Sequence, residues 1–327
     1  MITIFISRLH TYTINAFLKN WPNQVASSIR LIPYQSLHRI RCIQPGLFVF
    51  SDIERLTTIQ HRTAEHLCQQ ISENFGEIPI LNHPTRVLSR YHLLSLLWKQ
   101  GINRFRVFSW ADREEPMRYP VFIRRANDHE GPLTDLIMSK ESFNDQWRSL
   151  QASGEDPGEL IAVEFCDTCG EDQLYRKYSA FRIGDCIIPG HIIFSKNWVA
   201  KDRPPEPLRN EEKAYLENNP HQGELIRIFR LANIEYGRID YGLLDGKIQV
   251  WEINTNPVLI QRPKKYSMFK LPIKQKLVDE LAEAFLSQDA HADDLRAKSK
   301  TVMVNLAPSG PIKFLRQIER FFHPIRL

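Results

Sequence analysis

The sequence predicts an α/β protein that continues into an α+β arrangement in its C-terminal lobe. Short apolar segments alternate with helical periodicities over residues 1–84, which is typical of a small parallel sheet. Farther along, the apolar runs at 160–165, 174–188 and 236–254 follow one another through short connections, which favours antiparallel strands. At 327 residues the chain is long enough for two or three lobes with separate cores.

Residues 1–84 are predicted to form a three-strand α/β unit. Its strands are predicted over Ile2–Ser7, Leu47–Phe50 and Ile78–Leu81. A helix is predicted over Thr57–Phe75, because apolar residues recur there near the helical period and Gly76 follows as a stop.

The rest of the chain continues with alternating elements. The predicted helices cover Pro84–Gln100, Ser142–Leu150, His221–Ile234 and Gln275–Leu286. The predicted strands cover Tyr119–Arg125, Leu160–Phe165 and Leu174–Ile188, the last interrupted at Gly184 and Asp185. From periodicity alone, Arg90 is an exposed arginine on the first of these helices. The last 40 residues are polar, then basic, with an amphipathic pattern that favours docking on the domain or a partner over membrane-surface binding.

Composition excludes several classes of function. The net charge of +5 comes without a dense Lys/Arg block, so no nucleic-acid footprint is expected. No apolar run reaches 20 residues, so no integral membrane segment is expected, and the N-terminus is predicted to be a strand rather than a signal peptide. Five sparse cysteines indicate a cytoplasmic protein with free thiols. A homodimer stays open.

Cys166 and Cys169 form a CxxC pattern. A redox or zinc role is possible for such a pair. No second CxxC is present, and the pair does not open a helix after a first strand, so a tight connection at the end of a strand is favoured.

The most informative stretch is the apolar pair of segments from Tyr236 to Pro257. Glu252 and Asn254 are two residues apart on one predicted strand, and Arg238 and Asp240 are two apart on the other, so each pair shares a face. Carboxylate and amide oxygens are ligands of hard cations such as Mg²⁺. A hairpin with solvated carboxylates is the alternative, but a buried glutamate in this run is costly unless it is paired or ligating.

The turn decides whether the two faces coincide. A two-residue turn at Asp245-Gly246 would set Asp240 opposite Trp251 and send Glu252 to the other face. The metal interpretation therefore requires an odd-length loop or a bulge. We expect a type I turn with a glycine bulge at Gly246 to supply it.

This stretch resembles the metal-binding strand pair of the ATP-grasp superfamily of ligases. Gly237-Arg238-Ile239-Asp240 and Glu252-Ile253-Asn254-Thr255-Asn256-Pro257 match its G-R-I/V-D and E-x-N-x-x-P patterns. The resemblance implies the ATP-grasp fold, with two α/β lobes clamping ATP after a small parallel-sheet domain. It also implies that Asp240, Glu252 and Asn254 hold Mg²⁺ or Mn²⁺ and that Arg238 contacts ATP phosphate.

Other nucleotide contacts follow from order and spacing within the resemblance. Arg90 and Arg124 stand where the superfamily usually has lysines, and Arg124 closes an apolar strand. Glu164 matches the hinge glutamate that faces adenine, and Phe165 and Cys166 continue the hinge. Lys201 is a candidate for the γ-phosphate, with a solvated surface lysine equally favoured. Lys177 and Ser179 depart from the family pattern, where an acid contacts ribose and an arginine follows.

The implied organisation divides the chain at three places. Residues 1–84 precede the ATP-grasp fold, 85–160 form its N-lobe, 161–290 its C-lobe with the metal hairpin, and 291–327 a basic extension. The implied reaction activates a small-molecule or peptide carboxylate as an acylphosphate and joins it to an amine or thiol, with Arg238 and Arg124 neutralising phosphate. A phosphotransferase and a non-catalytic ATP-binding regulatory module are the alternatives.

Overall fold

The computed structural model describes residues 1–109, 116, 118–128, 130–199, 209–292, 301–304 and 306. These residues divide into two compact units. One contains residues 1–86 together with the chain from 258 onward, and the other contains residues 87–257. The three boundaries expected from the sequence stay a prediction.

Helices and strands alternate along most of the described chain. In order, the first elements are β1 (Ile2–Ile6), α1 (Tyr12–Asn20), β2 (Ile29–Pro33), β3 (Cys42–Ile43), β4 (Leu47–Phe50), α2 (Thr58–Phe75) and β5 (Ile80–Leu81). The next are α3 (Arg90–Lys99), β6 (Val107–Ser109), β7 (Val121–Arg125), α4 (Lys140–Ala152), β8 (Leu160–Glu164), β9 (Tyr175–Ile183) and β10 (Cys186–Ser195). The last are α5 (Arg209–Asn218), α6 (Gln222–Ala232), β11 (Tyr236–Leu244), β12 (Lys247–Asn254), α7 (Leu271–Ala290) and β13 (Val302–Met303).

The first unit is built on a parallel sheet, as predicted. Its strands lie in the order β2-β1-β4-β5, and each adjacent pair is parallel. Helix α2 begins after Thr57, whose hydroxyl accepts from the backbone of Gln60 in a capping box, and it ends at Gly76 with a positive φ of 68°. The sequence prediction missed α1 and β2, although α1 buries Ile14 and Phe17 at helical spacing and β2 carries Ile29, Leu31 and Ile32.

The second unit contains two antiparallel sheets. Strands β6, β8 and β7 form a three-stranded sheet with β8 in the centre, and β10-β9-β11-β12 form a four-stranded sheet with β12 at one edge. Helix α6 packs its apolar face, including Leu225, Ile228 and Phe229, into the core that the larger sheet shares with α3. The predicted α+β character is therefore confirmed.

One predicted helix begins six residues later than expected. Helix α3 begins at Arg90 rather than near Pro84, because the Ser89 side chain accepts from the backbone of His92 and caps the helix there. Just before it, the backbone N–H of Leu88 donates to the carbonyl of Ala232, which takes Leu88 out of any helical turn. The shift places Arg90 in the first turn, where it points back toward the strands. Within the described ranges, no helix combines the length and apolarity that crossing a bilayer requires.

Candidate nucleotide and metal site

Strands β11 and β12 bring four predicted site residues onto one face. Asp240 lies directly opposite Glu252, and Arg238 lies directly opposite Asn254. Side chains two apart on a strand share a face, and so do residues directly opposite in an antiparallel pair. The predicted common face is therefore confirmed.

The turn between the strands differs from the prediction. Leu244 pairs with Lys247, so the loop contains only two residues, Asp245 and Gly246. Both have positive φ angles, 51° and 72°, as a type I′ hairpin turn requires. The odd-length loop expected at this place is therefore wrong, since the aspartate adopts the left-handed conformation along with the glycine.

A bulge at Trp251 supplies the register instead. Tyr241 pairs with Val250, whereas the preceding Asp240 pairs with Glu252, so Trp251 is an extra residue on β12. A bulge of this kind places two residues of one strand against one of the other and turns the following side chains over. Without it, Glu252 would leave the face that carries Asp240.

Gly237 allows the two strands to approach at the end of the hairpin. A Cβ atom at this position would lie 2.8 Å from the carbonyl oxygen of Asn254 and 3.2 Å from a methyl group of Ile234. The glycine of the GRID pattern thus has a steric reason, because any side chain would push apart the backbone next to Arg238 and Asn254.

The Glu252 carboxylate accepts hydrogen bonds from two arginines on other elements. Arg90 Nη2 lies 2.6 Å from Glu252 Oε2, and Arg124 Nη2 lies 3.1 Å from the same oxygen. Arg90 Nη1 also donates to the carbonyls of Arg125 and Ala126, at 3.1 and 2.8 Å. Arg90 is buried, so its interpretation as an exposed helix residue is wrong.

The Asp240 carboxylate is held from within its own sheet. Arg238 Nε lies 3.0 Å from Asp240 Oδ1, and Lys177 Nζ from β9 lies 3.3 Å from Oδ2. Burial by itself would raise the pKa of Asp240, but the positive charges of Arg238 and Lys177 outweigh it and lower the pKa below its usual value. Lys177, which stands where the family has a ribose-binding acid, is thus part of the site.

These contacts leave the site with excess positive charge. Four cations, at Arg90, Arg124, Lys177 and Arg238, surround two carboxylates, so the six side chains sum to +2. Buried or half-buried charge of one sign attracts a ligand of the other sign. A polyanion such as a nucleotide phosphate would take over the guanidinium donors and release the carboxylates.

The donor set suits a hard cation. Asp240 and Glu252 provide carboxylate oxygens, and Asn254 provides an amide oxygen that already accepts the backbone N–H of Asn256 at 2.7 Å. A carbonyl oxygen has a second lone pair available. In the described part of the chain, no group of three or more His, Cys, Asp or Glu side chains is placed so that it could hold a metal ion by itself.

A cavity of about 200 Å³ opens beside this face. The charged residues that line it include Arg124, Asp240 and Glu252. Its other walls are largely aromatic and include Phe105, Phe122, Phe165, Tyr175, Trp198 and Trp251. The Trp198 ring lies 4.9 Å from that of Phe122 and 5.8 Å from that of Phe165, centroid to centroid. A cavity lined by both charged and flat aromatic side chains could accommodate a planar ring that carries phosphates.

Glu164 brings a free hydrogen-bond acceptor to the cavity. Its Oε2 accepts from the backbone of Arg106 at 3.0 Å and from Arg118 at 2.7 Å. Its Oε1 is buried with no hydrogen-bond partner among the described residues. An unpaired buried oxygen is costly, so this atom is a candidate acceptor for a donor on a ligand.

Phe165 and Cys166 follow Glu164 along the cavity wall. The backbone N–H of Phe165 donates to the carbonyl of Pro120 at 2.9 Å, so this residue offers its ring rather than that N–H. Burial raises the pKa of the Cys166 thiol to about 11, which keeps it protonated at neutral pH. Both Cys166 and Cys169 are free, and Cys169 lies in a turn closed by Asp167.

Not every predicted residue can be placed at the site. Lys201 lies outside the described residues. Ser179, which replaces the arginine of the ATP-grasp pattern, is fully buried. Its hydroxyl forms a hydrogen bond with His191 Nδ1 at 3.0 Å, so it contacts another residue of this chain.

Sequence reasoning missed Asn103. Its side-chain amide pairs with both backbone groups of Val250, donating to the carbonyl at 3.1 Å and accepting the N–H at 2.9 Å. It therefore occupies the open edge of β12 immediately before the bulge at Trp251. No sequence signal marks it, because a single asparagine after a helix is common in loops.

Comparisons with known proteins agree with this geometry at the level of fold. No family model matches the sequence, and neither does any curated protein. Among solved structures, D-alanine–D-alanine ligase from Bacillus anthracis superposes with a TM-score of 0.52 at 12% identity, over 91% of this chain and 98% of that one.

A second group of matches is formed by complexes of the ATP-grasp ligase PsnB. Its complex with minimal precursor gives a TM-score of 0.51 at 12% identity, over 88% of this chain and 98% of that one. Its complex with minimal precursor, Mg and ADP gives 0.51 at 11% identity, over 88% and 97%. The chain therefore has the ATP-grasp fold, which confirms the fold expected from the hairpin motif.

Proposed function

We propose that this protein is an ATP-dependent ligase that activates a carboxylate and joins it to an amine. The observation that carries the proposal is the single face on which Asp240 lies opposite Glu252, with Arg238 and Asn254 beside them and an excess of positive charge around them. Of the similar solved structures, one is a D-alanine–D-alanine ligase, and another is the ATP-grasp ligase PsnB with Mg and ADP.

The residues present fit both ATP and a divalent cation. Asp240, Glu252 and Asn254 would hold Mg²⁺ or Mn²⁺, which supplies charge neutralisation at the phosphate oxygens. Glu164 Oε1, buried and unpartnered among the described residues, would accept from the amino group of adenine. The aromatic walls of the cavity would enclose the ring.

The side chains of this chain then supply positioning and electrostatics. A substrate carboxylate oxygen attacks the γ-phosphorus, the bond to the bridging oxygen breaks, and ADP leaves. Arg90, Arg124 and Arg238 neutralise the charge that develops on the transferred phosphoryl group. An amine then attacks the acyl carbon, phosphate leaves with the bonding electrons, and the amine loses a proton. No side-chain nucleophile is required.

The test is an ADP-release assay with Mg²⁺ and ATP against panels of amino acids, peptides and small carboxylates. Hydroxylamine is included as a simple amine that converts an acylphosphate to a hydroxamate. We expect ADP release to depend on a carboxylate, and the product mass to equal carboxylate plus amine minus water.

Two outcomes would contradict this function. A stable phosphorylated product formed from a hydroxyl acceptor would assign the protein as a phosphotransferase. Tight ATP binding without ADP release under any acceptor would assign it as a regulatory module. Glu171→Gln changes an exposed acid that takes part in none of these contacts. It is the matched control for carboxylate changes at the site and should turn over as the parent protein does.

A further inference from the structure

The chain around Met268 and Phe269 exposes apolar side chains to an unusual degree. Met268 is 81% exposed, the adjacent Phe269 is 86% exposed, and Ile273 follows at 43% on the first turn of α7. Single exposed apolar residues are common on protein surfaces. Met268 and Phe269 both protrude, and Ile273 lies one turn away. Together they form an apolar patch of the kind that marks an interaction site. We call residues 261–273 the basic-apolar segment.

The same segment carries a concentration of positive charge. Between residues 253 and 278 the sequence contains six lysines and arginines and no acid. Arg262, Lys264 and Lys265 are exposed and form no ion pair with any described residue. The first acids beyond the segment are Asp279 and Glu280, and Glu280 is paired with Lys276 at 3.7 Å.

The segment is anchored, so its exposure is not that of a loose end. The Trp21 indole N–H donates to the carbonyl of Gln261 at 2.7 Å, and the Trp21 ring lies 6.1 Å from that of Tyr266. On the other side, Gln275 Nε2 donates to the carbonyl of Pro22 at 2.9 Å. Two short 3₁₀ turns, Pro263–Lys265 and Met268–Lys270, lie between these anchors and present their side chains outward.

We propose that the basic-apolar segment docks this protein on an anionic lipid surface. Side chains exposed by more than four-fifths stand clear of any groove, so a protein partner would have to provide a matching pocket. A bilayer interface accepts protruding Met and Phe side chains without a preformed complement, while lysines and arginines meet the anionic headgroups. The small number of groups makes this attachment peripheral, reversible and sensitive to salt.

The experiment is co-sedimentation of the full-length protein with lipid vesicles. Vesicles of phosphatidylcholine mixed with phosphatidylserine are compared with vesicles of phosphatidylcholine alone. We expect binding to the anionic vesicles only. The double variant Met268→Ser/Phe269→Ser and the double variant Lys264→Gln/Lys265→Gln should each weaken it at least about tenfold.

Matched controls separate docking from damage to the fold. Met138→Ser removes a methionine that is 69% exposed in the other unit and should bind vesicles as the parent does. ATP binding and thermal unfolding of both double variants should equal those of the parent, because none of the four residues belongs to the candidate site. Failure of the parent to bind anionic vesicles, or equal binding by the Met268/Phe269 variant, would overturn the proposal. Poly-glutamate serves as a second probe. If the parent bound poly-glutamate instead, and the Lys264/Lys265 variant did not, the partner would be an acidic protein.

Discussion

Asp240 and Glu252 face each other across one hairpin, yet they are held in different ways. Asp240 is contacted by Arg238, two residues earlier on its own strand, and by Lys177 on the adjacent strand. Glu252 is contacted by Arg90 on α3 and Arg124 on β7, which belong to neither strand of the hairpin. One carboxylate is therefore supported by its own sheet and the other by separate elements.

The Asp240 contacts are formed within one sheet, whereas the Glu252 contacts depend on how separate elements of the unit pack. The partners of Asp240 are between a fifth and a third exposed, so solvent screens that pair. The side chains of Arg90 and Arg124 are only 5% and 12% exposed, so Glu252 is the counter-charge of two desolvated guanidiniums. Losing Glu252 should therefore cost more than losing Asp240.

The largest expected effect comes from neutralising each carboxylate in turn. Both Glu252→Gln and Asp240→Asn should lower ADP release by about a thousandfold, because each removes a proposed metal ligand and a charge from the proposed phosphate site. Glu252→Gln should also lower the free energy of unfolding by about 3 kcal/mol, since two buried guanidiniums lose their counter-charge. Chemical denaturation should show a clearly smaller loss for Asp240→Asn. A larger loss for Asp240→Asn would reverse the comparison.

Arginine-to-lysine changes test the two guanidiniums on Glu252. Arg90 serves three acceptors through its planar fork, which an ammonium cannot reproduce, so Arg90→Lys should raise the KM for ATP by about thirtyfold. Arg124 bonds Glu252 well but reaches the Asp128 carbonyl only at 3.4 Å, so Arg124→Lys should raise it only a few-fold. Steady-state kinetics measures both KM values. Equal increases in the two variants would show that the number of contacts does not decide which arginine matters more for ATP binding.

Glu164 tests the other end of the cavity. Its Oε1, which has no hydrogen-bond partner among the described residues, should accept from the adenine amino group. The parent should therefore prefer ATP over inosine triphosphate, which lacks that group. Glu164→Gln should reduce this preference by about tenfold, as expected for a hydrogen bond to a charged acceptor. Competition binding with the two nucleotides measures it. An unchanged preference would remove Glu164 from adenine recognition.

The smallest expected effect concerns the support of the hairpin. Asn103→Ala leaves both backbone groups of Val250 without their partner and should cost about 1–3 kcal/mol of stability. We expect about a fivefold loss of turnover, because the bulge that orients Glu252 becomes less well held. Asn219→Ala removes a hydrogen bond from a side-chain amide to the Ile187 carbonyl. It is the matched control and should leave turnover unchanged. Equal turnover in both variants would limit Asn103 to a structural role.

Local pattern was sufficient for the elements that carry the site. Alternation and spacing placed Arg238, Asp240, Glu252 and Asn254 on two strands, and the demand for an irregular register followed from the two-residue period of a strand. An irregular register is present, but it lies at Trp251 rather than at Gly246. Bulges are set by what packs on both sides of a strand, and Asn103 and its contacts to Val250 lie nearly 150 residues away in sequence.

Local sequence was enough to recognise the hairpin that carries the candidate ligands, because their residue types and spacing are properties of two adjacent strands. Which cations neutralise those carboxylates depends on how separate elements pack. Arg90 is an ordinary helix residue in the sequence and a buried partner of Glu252 in the fold, while Lys177 is a departure from the family pattern and a partner of Asp240. Charge pairing depends on distances between elements far apart in the chain, and no local pattern encodes those distances.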